Sequence, residues 1–242
     1  MSPTVSQPWR EEWFDGSVRV RSRLLWRGVE AQHLVATLRL ADTAADQRVL
    51  EELLEGSKPP LPAGARSRHY LLTTPFRYRS PVASRFRRAQ DAGAWYGAED
   101  LHTACAEVGY WRWRFLMDSD ALRAQALHTT HSFFRAQLRG RCLDLTRPPW
   151  NAATALWRHG RDYRPCHEVA AAARARGVVW IRYASARVAQ GCCGVAFEVG
   201  ALSLHRPMQM QTWVCRTTQG GARLQRSTAA AECFEFRAQD WA

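Results

Sequence analysis

Between Ser84 and Phe115 the chain changes its local pattern twice. SRFRR follows a proline-marked loop, and GAWYGA is a short β-prone run bracketed by glycines. From Asp100 onward, Leu101, Ala104, Cys105, Val108 and Arg112 or Phe115 recur at the three-four spacing of a helix. The stretch therefore reads as turn, strand and helix. Into this frame are set a guanidinium, a phenol and a carboxylate, each eleven residues from the last: Arg85, Tyr96 and Glu107.

A chain of 242 residues, 46% hydrophobic and 23% charged, is long enough for one large core. No apolar run approaches the length a membrane helix needs. The N-terminal MSPTVSQPWREEWFDGS lacks the charged-then-apolar pattern of a secretory signal, so a cytoplasmic location is expected. The formal charge of +12 is carried almost entirely by arginine, with Lys58 the only lysine. Arginine-rich codon usage explains this as well as an acidic partner does. The arginines are dispersed, and no RNP-like, zinc-finger or helix-turn-helix pattern accompanies them, so direct nucleic-acid binding is not expected. Seven cysteines without any CxxC read as small buried apolar residues rather than disulfides or a zinc site.

The rest of the chain intermixes strands and helices without strict alternation. Strands are expected at 23–30, in HYLLTTPFRY up to Pro75, at 93–98, 126–138, 141–145, 178–185, 191–199, 209–215 and 232–236. Helices are expected at 42–54, capped by Asp42 or Thr43 with a Leu50, Leu53 and Leu54 stripe, and at 100–115, 118–125, 151–159 and 167–176. SKPPLPAGA, 57–65, is a loop. The fold class is α+β, a mixed β-sheet core with flanking helices.

There is no P-loop frame around Lys58, no GxGxxG, no GxSxG and no histidine after His167-Glu168 at the spacing a zinc protease needs. The remaining candidates each have an ordinary and a functional reading. Arg85 is a solvated arginine or a forked donor for a pyrophosphate or carboxylate. Tyr96 and Trp95 face opposite sides of a strand; either ring packs in a core, or stacks on a planar ligand and bonds it through a hydroxyl. Glu107 is a surface glutamate paired with Arg112 or Arg114, or a carboxylate aimed into a pocket to stabilise positive charge. Ser185 is a turn residue or a hydroxyl at a pocket rim.

Taken together, LLWRGVE with Arg27, SRFR with Arg85, GAWYGAED with Tyr96, TACAE with Glu107 and ARGVVWIRYASAR with Ser185 resemble the RES domain, the toxin family of bacterial Xre–RES toxin–antitoxin pairs. The sequence departs from that pattern in having Ser84 where many members have glycine, and in the long gap between Arg27 and Arg85. No internal domain boundary shows, and residues 1–20 read as a loosely docked leader; the chain 1–242 is then a single RES-like domain with a core of about 22–215 and a C-terminal extension at 216–242. The resemblance implies a fold akin to ADP-ribosyltransferase toxins, with NAD+ as substrate and cleavage of the nicotinamide–ribose bond.

In that frame Glu107 stabilises the oxocarbenium-like ribose, and Arg85 with Arg27 holds the pyrophosphate. Tyr96 packs against the nicotinamide or its ribose, and Ser185 orients the nicotinamide end. No metal is required, because the cationic pyridinium is already a good leaving group. The acceptor is phosphate, water or a protein side chain, with phosphate favoured. The implied partner is a cognate antitoxin of Xre type, and homo-oligomerisation is left open. The competing reading is a non-catalytic basic nucleic-acid-binding module.

Overall fold

An 18-residue strand, β3 (Leu127–Asp144), carries the sheet. The computed structural model describes residues 9–31, 40–62, 64–228 and 232–241. One edge of β3 pairs along its length with β1 (Val18–Glu30), from Val18↔Leu143 to Glu30↔His131. Its other edge is shared by β7 (Met210–Thr218), β6 (Leu202–Leu204) and, in parallel, β4 (Trp180–Ala184). The sequence suggests two strands where β3 runs as one. Gly140 permits the continuity, because its φ of +142° is open to glycine and closed to most other residues.

β2 (Trp95–Ala98) pairs with β1 and with β5 (Cys192–Ala196), and β5 pairs with β4. The order β1–β2–β5–β4–β3 thus closes on itself through the β1–β3 pairing. Strand alternation then sorts the side chains. Leu25, Trp95, Phe134, Leu138, Trp180 and Ala196 fill one face, joined by Leu71 and Leu72 of α2 (Tyr70–Arg77). The other face carries Phe133, Leu143, Ile181, Cys193 and Val195. It is covered by α3 (Leu101–Met117) and α5 (Arg164–Ala175), with the short α4 (Thr154–Trp157) beside them. The architecture is the expected α+β fold with a mixed sheet.

α3 begins where Asp100 accepts hydrogen bonds from the Thr103 amide and hydroxyl, both at 2.7 Å. Ala104 and Cys105 are buried as the spacing suggests, whereas Phe115 is 54% exposed. Tyr110 and Leu116 are buried instead, because α3 is covered on a second side. There β8 (Gly221–Arg226) and β9 (Cys233–Arg237) extend the sheet beyond β7, and Trp241 packs on Tyr110 with ring centroids 5.7 Å apart. Residues after 215 are therefore part of the wall around α3 rather than an appendage.

Five local expectations are corrected. The leader is not loosely docked from Trp9 onward: Trp9 and Phe14 are buried around Trp150, while residues 1–8 lie outside the described residues. HYLLTTPFRY is α2, not a strand; the His69 ring caps it at the Leu71 amide, and Leu71 and Leu72 gain a shared buried side that strand alternation would separate. Residues 118–125 form successive turns, not a second helix. The 151–159 helix is shorter, a 3₁₀ turn over Trp150–Ala153 followed by α4. α1 (Ala44–Ser57) is capped by Thr43, but its leucine stripe is not core: Leu53 and Leu54 are exposed. β6 and β8 carry no sequence signal that separates them from loop.

Gly28 sets the approach of α3 to β1. A Cβ there would lie 2.6 Å from the Phe133 ring and 2.8 Å from Val108. Gly28→Ala is expected to cost about 1–3 kcal/mol by overpacking. Gly56→Ala, with nothing within 4 Å, should be neutral or slightly stabilising. Urea unfolding of the two variants beside wild type measures the contrast.

Candidate active site

α3 presents Ala104, Glu107, Val108 and Trp111, one helical face, to a cavity of about 300 Å³. Tyr96 of β2, Cys193 of β5 and Tyr183 of β4 form its floor, and Ser84, Arg85, Tyr163 and Arg187 complete the wall. Arg85 and Glu107, distant in sequence, border the same space.

The Glu107 carboxylate is not a surface group paired with Arg112 or Arg114. Arg112 pairs with Glu30 at 2.8 Å, and Arg114 with Asp118 at 2.9 Å. Instead Glu107 Oε1 accepts a 2.8 Å hydrogen bond from the Ser185 hydroxyl. Ser185 is fully buried, and its oxygen in turn accepts from the Arg187 and Val188 amides at 3.0 and 3.2 Å. It is a support beneath the carboxylate, not a hydroxyl at the rim. Burial pushes the Cys193 thiol well up, so a protonated thiol lies 3.8 Å from the same Glu107 oxygen.

Arg85 sits in a tight turn closed by reciprocal backbone bonds between Ser84 and Arg87. Tyr96 holds this turn. Its hydroxyl is 2.8 Å from the Ser84 hydroxyl and accepts from the Phe86 amide at 3.1 Å, so it is committed to the protein rather than to a ligand. Burial raises the pKa of that hydroxyl, against the lowering effect of both bonds. His167 of α5 grips the Ser84 carbonyl from the other side at 2.8 Å. The Arg85 guanidinium then reaches across to donate to the Trp157 and His159 carbonyls, both at 2.8 Å, and lies over the Tyr163 ring at 4.8 Å. Burial works against its charge, but Tyr183, Cys166, Tyr163 and Glu107 hold its pKa above the ordinary value.

Arg27 borders the cavity but is turned elsewhere. It shares the alternation of Leu25, pairs with Phe134 and lies over the Trp95 ring at 5.3 Å, donating to the Tyr96 carbonyl at 2.9 Å. Burial pulls its pKa down to about 10, with Tyr96 opposing. The structure thus brings Arg85, Tyr96 and Glu107 together, places Ser185 directly behind Glu107, and directs the Arg27 guanidinium to the opposite face of β2. Sequence reasoning carried Arg187 only as the last residue of ARGVVWIRYASAR, weighed His167 only as part of a zinc-protease motif, and passed over Tyr163. Their partners come from distant segments, and no local pattern announces them. Five of the seven cysteines are buried free thiols, as their small size suggested. Among the described residues no helix is long and apolar enough to cross a membrane.

A mixed sheet with this cavity under a single helix defines the class, and the sequence comparison defines the family. The family model described as "RES domain" matches residues 61–217, and the chain belongs to that family. No curated protein matches it. Among solved structures it is similar to the M. tuberculosis MbcT-MbcA toxin-antitoxin complex, at 16% identity and a TM-score of 0.45, over 84% of this chain and 87% of that one.

His131 also borders the cavity, 2% exposed, with Nδ1 unpartnered. Burial, then Arg112, lowers its pKa from 6.5 to about 4. The folded state keeps it neutral while the unfolded chain takes up a proton, so its contribution is complete above pH 6.5 and is lost as pH falls from 6.5 towards 4. The loss is expected to reach about 3 kcal/mol. Urea midpoints between pH 7 and 4 should fall for wild type and flatten in His131→Leu; equal slopes would remove His131 as the cause.

Proposed function

We propose that this chain is the toxin of a toxin–antitoxin pair and consumes NAD+ by breaking its nicotinamide–ribose bond. The observation that carries the reading is the sharing of one cavity by Glu107 and Arg85, each anchored by protein groups so that they do not neutralise each other. No ion pair forms between them within 4 Å.

The chemistry follows from the residue types. The C1′–N1 bond breaks with its electron pair going to the pyridinium, which leaves as neutral nicotinamide. The ribose carbon becomes oxocarbenium-like, as in glycoside cleavage. Glu107, oriented by Ser185, stabilises that positive charge and accepts from a ribose hydroxyl. Arg85 holds the diphosphate and fixes the sugar against the carboxylate. Tyr96 lines the nicotinamide or ribose side with its ring, while its hydroxyl keeps the Arg85 turn in place. Arg27 supports β2 from behind, with a guanidinium less free for the diphosphate than Arg85.

Ser185 acts through Glu107 rather than on the nicotinamide directly. The acceptor is inorganic phosphate, which adds to the ribose carbon and gives ADP-ribose 1″-phosphate; water in its place gives ADP-ribose and a proton. No step calls for a metal, and a cognate antitoxin of Xre type would silence the activity.

Glu107→Gln should fold as wild type and lose at least 100-fold in NAD+ turnover, since the lost charge acts on the transition state. Product masses with and without phosphate read this, and wild-type turnover by the variant ends the mechanism. Arg85→Ala should weaken NAD+ binding at least tenfold by calorimetry, with an unchanged affinity counting against the diphosphate role.

A further inference from the structure

Arg187 is a second buried cation in the cavity, and the protein satisfies it only in part. The residue is 9% exposed, and among the described residues no carboxylate stands within ion-pair distance of it. Its Nε is buried without a hydrogen-bond partner, and its one side-chain bond, to the Gly160 carbonyl, is long at 3.5 Å. The guanidinium rests on the Tyr110 ring, 3.3 Å from the centroid.

An unpartnered Nε is not by itself distinctive, since Arg27 and Arg226 share it, but each of those donates elsewhere at short range: Arg27 to the Tyr96 carbonyl at 2.9 Å and Arg226 to Glu232 at 2.8 Å. Arg182 is held by Glu99 at 2.7 and 2.8 Å, and Arg87 donates to the Ser80, Val82 and Arg88 carbonyls. A guanidinium has five donors, and burying it unpaired is costly, so a site that keeps one in this state is completed from outside.

Arg187 does not stand alone. Arg85 and Arg187 hold neighbouring carbonyls, those of His159 and Gly160, and burial raises the pKa of the Tyr163 hydroxyl between them, with both arginines opposing. Arg112 is neutralised by Glu30, which leaves two guanidinium groups facing one carboxylate. A planar carboxylate ligand is filled by one fork, whereas a phosphoryl group points oxygens to several sides and takes two.

We propose that Arg187 and Arg85 form a phosphoryl-binding pair beside Glu107, with Arg187 supplying the fork that Arg27 does not. The phosphoryl chemistry rests on burial and charge; its source rests on the NAD+ reading. That source is either the diphosphate of the dinucleotide or the free phosphate acceptor, and kinetics separates the two.

The test begins with thermal unfolding of wild type and Arg187→Met in low salt, titrated separately with inorganic pyrophosphate and inorganic phosphate. Wild type is expected to gain stability with at least one of them. Arg187→Met should match or exceed wild type without anion, because a buried unpaired charge is gone, and should lose at least tenfold in anion affinity. In steady state, a tenfold rise in the KM for NAD+ alone assigns Arg187 to the diphosphate. The same rise in the KM for phosphate alone assigns it to the acceptor.

A wild type that ignores both anions overturns the site, as does an Arg187→Met that binds both as wild type does. If that variant does not fold, Arg187→Lys, which keeps the charge and loses the fork, replaces it under the same criterion. A wild type that binds pyrophosphate through Arg187 yet leaves NAD+ intact supports this site and sinks the reaction proposed above.

Discussion

A carboxylate and a guanidinium in one cavity collapse onto each other unless each is already held. Here the Ser185 hydroxyl holds Glu107, and the Trp157 and His159 carbonyls hold Arg85. The open space between them depends on those bonds. Ser185 itself is fixed by two backbone amides of its own turn, so the carboxylate is oriented by the end of β4 rather than by its own helix. Arg85 is fixed from behind by Tyr96 and His167, which clamp its turn between β2 and α5. Charge separation at the cavity is thus a property of the sheet and two loops acting together.

The sheet makes this possible by closing. Because β1 pairs with both β2 and β3, the strands that carry Tyr96, Tyr183 and Cys193 are locked in register with one another. Trp95, Trp180 and Phe134 pack on one side of that ring and free the other side for α3. The alternation that buries Trp95 is the same alternation that turns Tyr96 to the cavity and Arg27 away from it. One strand parity therefore decides which of the family-patterned side chains meet.

Much of this was legible in the chain. The turn, strand and helix from Ser84 to Phe115 stand where the spacing placed them, because glycine brackets and an aspartate cap are local signals. The misreadings have local causes too. Pro75 suggested a stopped strand, yet α2 tolerates it because the paired burial of Leu71 and Leu72 outweighs one missing amide. The 118–125 segment offered helix-forming residues but no buried face to reward a helix.

By itself the sequence determined the class of fold, the family and three of the residues that share the cavity, since periodicity, caps and motif order are written along the chain. Only the tertiary structure decided what each side chain does there. It committed the Tyr96 hydroxyl to the Arg85 turn, put Ser185 under Glu107, sent Arg27 to the far face of β2 and left Arg187 buried without a counter-ion. Those outcomes depend on strand parity and on contacts between segments far apart in sequence, and no local pattern encodes either.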